Sequence, residues 1–244
     1  MSSPLEQFTI KTLVPINVAG VDISFTNSSL WMFISVISAV SFFMFATSGR
    51  KIVPGPFQAF AENLFDTAGN IVSDNIGSGG KAFFPAVFSL FIFVLFGNLI
   101  GLVPGAFTFT SHLAVTGAMA MIIFSFVTLF GIFKHGFKFF GLFFPSGAPI
   151  VSAPVLIPIE IVSYFSRPVS LAVRLFANMV AGHVLLKVIA GFVVSLGATY
   201  ILPGIVPFVA VVAITILEIM VAVIQAYVFA ILTCVYLHDA IHLH

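Results

Sequence analysis

Five uncharged, strongly apolar runs, each long enough to cross a bilayer, limit most strongly how this chain can fold. A transmembrane helix needs about 20 consecutive apolar residues. The chain is 60% hydrophobic and only 7% charged, whereas a soluble domain carries about 25% charged residues. It cannot build a water-facing surface, so we expect an all-α polytopic membrane protein. The predicted spans cover about 30–48, 83–103, 113–133, 158–196 and 205–237.

The last two runs are far longer than one perpendicular crossing, and they can pair as an antiparallel hairpin. Residues 136–158 are rich in Phe, Pro and Gly, and they fit either a re-entrant hairpin or a simple connection. Residues 1–29 lack the basic start and short apolar core of a signal peptide. We expect them to form a periplasmic N-terminal segment, followed by one membrane domain over 30–244.

The basic residues of the loops predict the orientation. If five spans alternate, the loops on one side are basic, and the loops on the other side, 104–112 and 197–204, carry no charge. The positive-inside rule then puts the N-terminus outside and the C-terminus in the cytoplasm. A crossing by 136–158 would invert part of this assignment. The basic loop residues are Arg50, Lys51, Lys81, Lys134 and Lys138.

Residues 54–76 differ from the spans because their apolar side chains recur at helical spacing opposite an acidic face. This pattern predicts an amphipathic helix on the cytoplasmic surface. An acidic face does not suit attraction to anionic lipid, so docking on a partner protein is as good an explanation as lipid anchoring. The acidic face holds Glu62, Asp66 and Asp74, and the apolar face includes Phe57, Phe60, Leu64 and Ile71.

Charged and polar side chains inside spans are concentrated in the last two runs. A charge at the bilayer centre costs at least about 2.5–3.5 kcal/mol, which makes each such residue a functional candidate. The interiors of the first three spans hold no charge. The candidates are Glu160, Arg167, Arg174, Asn178, His183, Lys187, Glu218 and Gln225.

Helical phase and hairpin register sort these candidates. At about 100° per residue, Glu160, Arg167 and Asn178 share a face with Arg174, and His183 points the opposite way. In an antiparallel hairpin, one register brings Arg174 level with Gln225 and His183 level with Glu218, to within about 3 Å. The same register puts Glu160 level with Asp239 at the cytoplasmic end.

These groups differ in their ability to carry a proton. His and Glu can exchange protons near neutral pH when they are buried and paired, whereas the arginine guanidinium stays charged. A proton that reaches His183 and Glu218 therefore cannot hop past Arg174. A carboxylate on a moving partner would carry it round this barrier.

Each candidate also has a structural alternative. Arg174 could pair with Glu160, His183 could be a packing histidine, and Glu160 could be an acid at the start of its helix. Arg167 and Lys187 fit snorkelling or local pairing, and Asn178 and Gln225 fit interhelical hydrogen bonds. The terminal HDAIHLH suggests metal ligands, but a solvated tail is the better interpretation. We expect no metal and no cofactor.

Several segments together resemble subunit a of the membrane sector of F-type, proton-translocating ATP synthases. They occur in the family's order and cover most of the chain from residue 50 onward. The R-L-F-x-N-M-x-A-G pattern inside the longest segment is highly specific. The segments are PGPFQAFAEN (54–63), GNLIGLVPG (97–105), TSHLAVT (110–116), SRPVSLAVRLFANMVAGH (166–183) and EIMVAVIQAYVFAILTCVYL (218–237).

The resemblance implies a stator subunit that is not catalytic alone. Its expected partners are a ring of c subunits, b-type peripheral stalk subunits and the rest of the ATP synthase, with protons as the transported ion. Arg174 matches the family's essential arginine, and His183 with Glu218 matches an outer half-channel pair. Gln225 and Asn178 match polar residues near the arginine, and Glu160 an acid of the cytoplasmic half-channel. The family also implies strong tilting of the last two helices.

Two other functions remain open from the residues alone. A secondary transporter would show inverted repeats and broken helices, and no convincing repeat is visible. A passive channel would need an unobstructed pore, which a central arginine opposes. Nucleic acid is not expected as a partner, because the net charge is only +1. The expected location is the bacterial inner membrane, with the mitochondrial inner membrane as the alternative.

Overall fold

The apolar runs form α-helices in the computed structural model, which describes residues 8–18, 21–22, 24–49, 51–143, 153–199 and 201–241. Five of the helices in these ranges are long and apolar enough to span a membrane. The chain is therefore an all-α polytopic membrane protein, as predicted. The helices are α1 (Asn27–Thr47), α2 (Pro56–Ile76), α3 (Phe84–Gly101), α4 (Leu113–His135), α5 (Ala153–Thr199) and α6 (Ile201–Ile241).

The helix ends follow local chemistry. The side chain of Thr26 caps α1 by accepting a hydrogen bond from the Ser29 amide at 3.4 Å. Pro56 begins α2, where a missing amide hydrogen costs nothing. Gly77 and Gly136 follow α2 and α4 with φ of 77° and 57°, a conformation that favours glycine.

The connection before α5 is only partly described. Residues Gly136–Phe143 form a 3₁₀ helix, and 144–152 lie outside the described residues. The expectation of a re-entrant hairpin or a connection over 136–158 is thus open for its central part. The structure begins α5 at Ala153 and runs it through Pro158 and Pro168, so this helix is longer than predicted.

Short strands in the N-terminal segment were not predicted. Thr12–Val14 (β1) pairs with Phe25–Thr26 (β4), and Asn17–Val18 (β2) pairs with Val21–Asp22 (β3), both antiparallel. Asn27 ties this segment to the start of α1, because its side chain donates to the Thr9 carbonyl and accepts from the Lys11 amide.

The core lies where α6 meets its neighbours. Helix α6 contacts α2, α3, α4 and α5, and α1 packs on α3. Buried α2 side chains such as Ala68, Ile71 and Val72 join this core, while Phe57 and Phe60 on the same helix stay exposed. Large apolar side chains are exposed along α1, α4, α5 and α6, as expected for surfaces that face lipid or partner subunits.

Contacts at the helix ends divide the molecule into two sides. The ammonium of Lys134 and the ring of His135, at the end of α4, contact the carbonyl of Ile241 at the end of α6. At the other side, the loop between α3 and α4 contacts the second half of α5. The C-terminal ends of α4 and α6 therefore lie on the same side of the molecule, as expected if successive spans cross in alternating directions.

Candidate functional site

His183 on α5 and Glu218 on α6 meet across the helix pair. His183 Nδ1 lies 3.8 Å from Glu218 Oε1, and the two side chains are 12% and 3% exposed. This distance is about 0.9 Å longer than a usual hydrogen bond, so a small side-chain rotation would bring the two groups into contact. The structure thus brings together two residues that the hairpin register placed at one level.

Gly182 creates the space that Glu218 occupies. A Cβ atom at this position would lie 2.5 Å from Glu218 Oε1 and 2.9 Å from Cδ. Both carboxylate oxygens are buried and have no hydrogen-bond partner among the described groups. The carboxyl group of Glu218 therefore packs against the backbone of Gly182 and faces His183, and its oxygens form no hydrogen bond with the described groups.

The other ring nitrogen of His183 contacts a residue from a different element. His183 Nε2 lies 2.9 Å from the hydroxyl oxygen of Thr108, in the loop between α3 and α4. The Thr108 hydroxyl in turn donates to the Gly101 carbonyl at 2.9 Å. The ring of Phe8, from the N-terminal segment, lies edge-on to the His183 ring at 6.3 Å. Three parts of the chain besides α5 therefore contact His183: α6, the α3–α4 loop and the N-terminal segment.

Further buried polar atoms belong to the elements that surround this pair. Asn98 on α3 donates to the Ala222 carbonyl at 3.3 Å, and its own oxygen has no partner among the described groups. Thr110 lies in the 3₁₀ turn Phe109–Ser111, and His112 directly follows it. Thr110 Oγ1 and His112 Nε2 are both buried and have no hydrogen-bond partner among the described groups. Burial lowers the pKa of His112. Because buried polar atoms are normally hydrogen-bonded to protein or water, this set is typical of a hydrated region.

A second pair joins the first half of α5 to the end of α6. The guanidinium of Arg167 donates to Asp239 Oδ2 at 2.7 Å. It also lies over the rings of Tyr164 and Tyr236, at 5.6 and 5.4 Å from their centroids. Tyr164 is anchored by a 2.7 Å hydrogen bond to Thr128 on α4. The guanidinium of Arg167 is therefore held by partners within this chain.

The hairpin register places Asp239 level with Glu160 and predicts no ion-pair partner for it. The ion pair that Asp239 forms is with Arg167, two turns further along α5. Glu160 has no ion pair with another described residue.

Arg174 differs from Arg167, although both lie on α5. It is exposed, and it has no ion pair or side-chain hydrogen bond within the described part of the chain. Ser170, Ala177 and Ala181 lie on the same stripe at helical spacing and are also exposed. Small side chains on both sides of Arg174 leave room for another helix to approach its guanidinium closely.

The remaining predicted residues form no hydrogen-bonded network with Arg174 in the described part of the chain. Gln225 is buried on α6, at 8% exposure, and Asn178 and Glu160 are partly exposed. Lys187 is exposed one turn beyond His183. Among the described residues, none of these four has an ion pair or side-chain hydrogen bond, so their predicted roles stay predictions.

Sequence reasoning did not identify Thr108 or Phe8 as neighbours of His183. Neither threonine nor phenylalanine is ionisable, so neither residue is marked in the sequence by a charge that is costly in a membrane. The nearest sequence signal is the motif TSHLAVT, which begins two residues after Thr108. This motif carries part of the family resemblance, but it does not include Thr108 and predicts no role for the loop.

Comparison with known proteins gives a consistent result over the whole chain. The family model described as "ATP synthase A chain" matches residues 29–238. A protein named "ATP synthase subunit a" from Rhodospirillum rubrum is 55% identical over 244 residues, with all of both chains covered. The protein of the same name from Paramagnetospirillum magneticum is 54% identical over 247 residues, again with full coverage. That from Rhizobium johnstonii is 51% identical over 99% of this chain and 98% of the relative.

Proposed function

Because the chain belongs to the ATP synthase subunit a family, we propose that it is the stator subunit of a proton-translocating ATP synthase. In this role it forms two proton half-channels beside a ring of c subunits. It carries no chemical step on ATP itself; it couples proton flow to rotation of the ring. Arg174 faces the ring carboxylates and separates the half-channels.

The observation that carries this proposal is the state of Arg174. A permanent cation that is exposed and unpaired on a membrane helix is costly unless something outside the chain compensates it. A carboxylate on a neighbouring helix would do so. The small residues Ser170, Ala177 and Ala181 permit the close approach that this pairing requires.

The outer half-channel centres on His183 and Glu218. Their facing groups lie 3.8 Å apart, so a proton can pass from one to the other after a small rotation. The unpartnered atoms of Asn98, Thr110 and His112 favour a hydrated approach to this pair from the side of the α3–α4 loop. From Glu218 the proton is transferred to a ring carboxylate.

The inner half-channel is on the far side of Arg174 along α5. Glu160, partly exposed near the start of α5, is the acid that would receive protons there. Asn178 and Gln225 flank Arg174 and would orient the ring carboxylate or water beside it. Because Arg174 cannot give up its proton, protons reach the inner side only on a ring carboxylate after rotation.

The proposed location is the bacterial inner membrane, with the N-terminus periplasmic and the C-terminus cytoplasmic. Lys134 at the end of α4 and the end of α6 lie on one side, and the positive-inside rule assigns that side to the cytoplasm. Exposed apolar side chains on α1 and α2, including Phe45, Phe57 and Phe60, offer surface to lipid and to b-type stalk subunits.

A disulfide cross-link tests the proposed contact with the ring. The chain has a single cysteine, Cys234, which is buried, so it will not compete with introduced cysteines. We expect Ala177→Cys, on the Arg174 stripe, to cross-link to a cysteine placed beside the carboxylate of the c subunit in the assembled complex. Met44→Cys on α1, 67% exposed, is the matched control and should not react. Cross-linking of Met44→Cys with none from Ala177→Cys would refute this placement.

A further inference from the structure

The loop between α3 and α4 contacts His183 through the hydroxyl of Thr108. The direction of this hydrogen bond follows from a second contact of the same hydroxyl. Thr108 Oγ1 lies 2.9 Å from the Gly101 carbonyl oxygen and 2.9 Å from His183 Nε2. A threonine hydroxyl has one hydrogen to donate, and a carbonyl oxygen can only accept. The hydroxyl hydrogen is therefore directed at Gly101, and Thr108 can only accept at its contact with His183. It follows that Nε2 donates and carries a proton.

The Gly101 carbonyl is a natural acceptor for this hydroxyl. Gly101 is the last residue of α3, and the last carbonyls of a helix lack partners within the helix. Thr108 satisfies one of them from the loop. The hydroxyl is thus committed to a group that would otherwise be left unpaired near the protein interior.

The backbone around Thr108 is shaped to bring it this close. A Cβ atom at Gly101 would lie 2.7 Å from Thr108 Cγ2 and 2.8 Å from its hydroxyl oxygen. Gly97, one turn earlier, is similarly covered by the ring of Phe109. Two glycines of the segment GNLIGLVPG therefore receive the loop that positions Thr108, which gives this segment a physical role.

We propose that Thr108 is a positioning residue that sets the tautomer of His183, and this inference rests on the proposed proton path. With Nε2 protonated and bonded to Thr108, the neutral ring leaves Nδ1 bare, and Nδ1 is the atom that faces Glu218. In the transfer, the Nδ1–H bond of the imidazolium breaks and an O–H bond forms on the Glu218 carboxylate. The ring becomes neutral, the carboxyl group becomes neutral, and the Nε2 proton stays in place.

The opposite tautomer would block the reverse step, in which the neutral ring takes a proton back from Glu218. A neutral ring with its proton on Nδ1 has no lone pair toward Glu218, so it could not accept a proton from that side. It would also face the Thr108 oxygen with a lone pair on Nε2, and the committed hydroxyl could not donate to it. Thr108 therefore selects the one neutral form that can exchange protons with Glu218.

Nitrogen NMR of the assembled complex tests the tautomer directly. Subunit a labelled with ¹⁵N-histidine is incorporated into the ATP synthase in lipid vesicles, and His183→Gln identifies the His183 signals by difference. Protonated and bare ring nitrogens have well-separated shifts. We expect the neutral ring of His183 to carry its proton on Nε2 in the parent protein and in Thr108→Ser, and to show both tautomers in Thr108→Val.

Proton pumping by the same samples tests the consequence. We expect Thr108→Val to slow ATP-driven pumping about fivefold, the factor that one net hydrogen bond is worth, and Thr108→Ser to restore it. Thr215→Val is the matched control, since the Thr215 hydroxyl donates to a carbonyl of its own helix, Val211. This control should leave both tautomer and rate unchanged.

The outcomes separate this inference from the proposed function. A parent His183 protonated on Nδ1, or Thr108→Val with the parent tautomer and rate, would overturn the role of Thr108. If Thr108→Val fails to assemble, the parent and Thr108→Ser spectra still decide the tautomer. The proposed function itself fails by a different result, the absence of a cross-link between the Arg174 stripe and the ring.

Discussion

The two ends of the α5–α6 contact each hold an ionisable pair, and the pairs differ in how their polar atoms are satisfied. At the inner end, Arg167 donates to Asp239 at 2.7 Å and stacks between two tyrosine rings. At the outer end, His183 and Glu218 stand 3.8 Å apart, and both Glu218 oxygens lack a hydrogen-bond partner among the described groups.

The difference teaches which pair is structural. An unsatisfied buried polar group costs about 1–3 kcal/mol, so the Glu218 carboxylate does not stabilise the fold as Asp239 does. In the inner pair, Arg167 forms a charge-assisted hydrogen bond with Asp239 and contacts two tyrosine rings, so its guanidinium is satisfied within the chain. In the outer pair, the Glu218 carboxylate is buried, faces His183 and has no hydrogen-bond partner among the described groups, which suits the proposed proton exchange. Arg174 lies between them and faces out of the chain.

Of the two pairs, the outer pair should give the larger effect on proton pumping when it is changed. We expect His183→Glu and Glu218→His, made singly, each to slow ATP-driven acidification of inverted vesicles by about a hundredfold, since each leaves two like groups where proton exchange needs two different ones. The two changes together restore one histidine and one carboxylate in contact, and should recover part of the rate. Thermal stability of the complex should change little.

Single variants as active as the double exchange would show that the two residues do not work as a pair. Gly191→Ala is a useful control for α5, since an added Cβ there meets nothing within 4 Å. It should behave as the parent protein in the same assay.

Changing the inner pair should have a smaller effect, and on a different property. The side chains of Arg167 and Asp239 are 29% and 33% exposed, and a part-exposed pair contributes about 1 kcal/mol. We expect Arg167→Ala and Asp239→Ala each to lower the Tm of the membrane sector by about 2–4 °C. The double variant should lose less than the sum of the single losses, because the two residues interact.

Acidification by these inner variants should stay close to that of the parent, because the proposed proton path does not use this pair. A large loss of pumping with an unchanged Tm would mean that the inner pair, too, takes part in proton movement. The comparison between the two ends would then fail.

The spans could be predicted from the sequence because the bilayer leaves few choices. Uncharged runs of about 20 residues must become helices, and four of the five predicted starts lie within four residues of the observed ones. The end of α6 was placed at residue 237, before His238 and Asp239. The helix continues to Ile241, and Asp239 in its last turn pairs with Arg167, a contact between residues 72 positions apart that no local pattern reveals.

The site was predictable only where charge made residues conspicuous. Arg174, His183 and Glu218 stand out in apolar runs. Helical phase separated Arg174 from His183, and the hairpin register placed Glu218 level with His183. Thr108 and Phe8 reach His183 through a loop and an N-terminal segment whose path depends on tertiary packing. The ion pair of Asp239 with Arg167 was not predicted, because level positions in a hairpin do not determine which long side chain reaches a given residue.

The central claim is that Arg174 is the barrier that couples proton flow to the ring, and its removal tests this most directly. Arg174→Ala is compared with Arg167→Ala in inverted vesicles that contain the assembled complex. ATP-driven acidification and ATP hydrolysis by the detached soluble portion are measured together. We predict that Arg174→Ala abolishes acidification and leaves that hydrolysis intact, while Arg167→Ala keeps most of both. Acidification retained by Arg174→Ala would contradict the account.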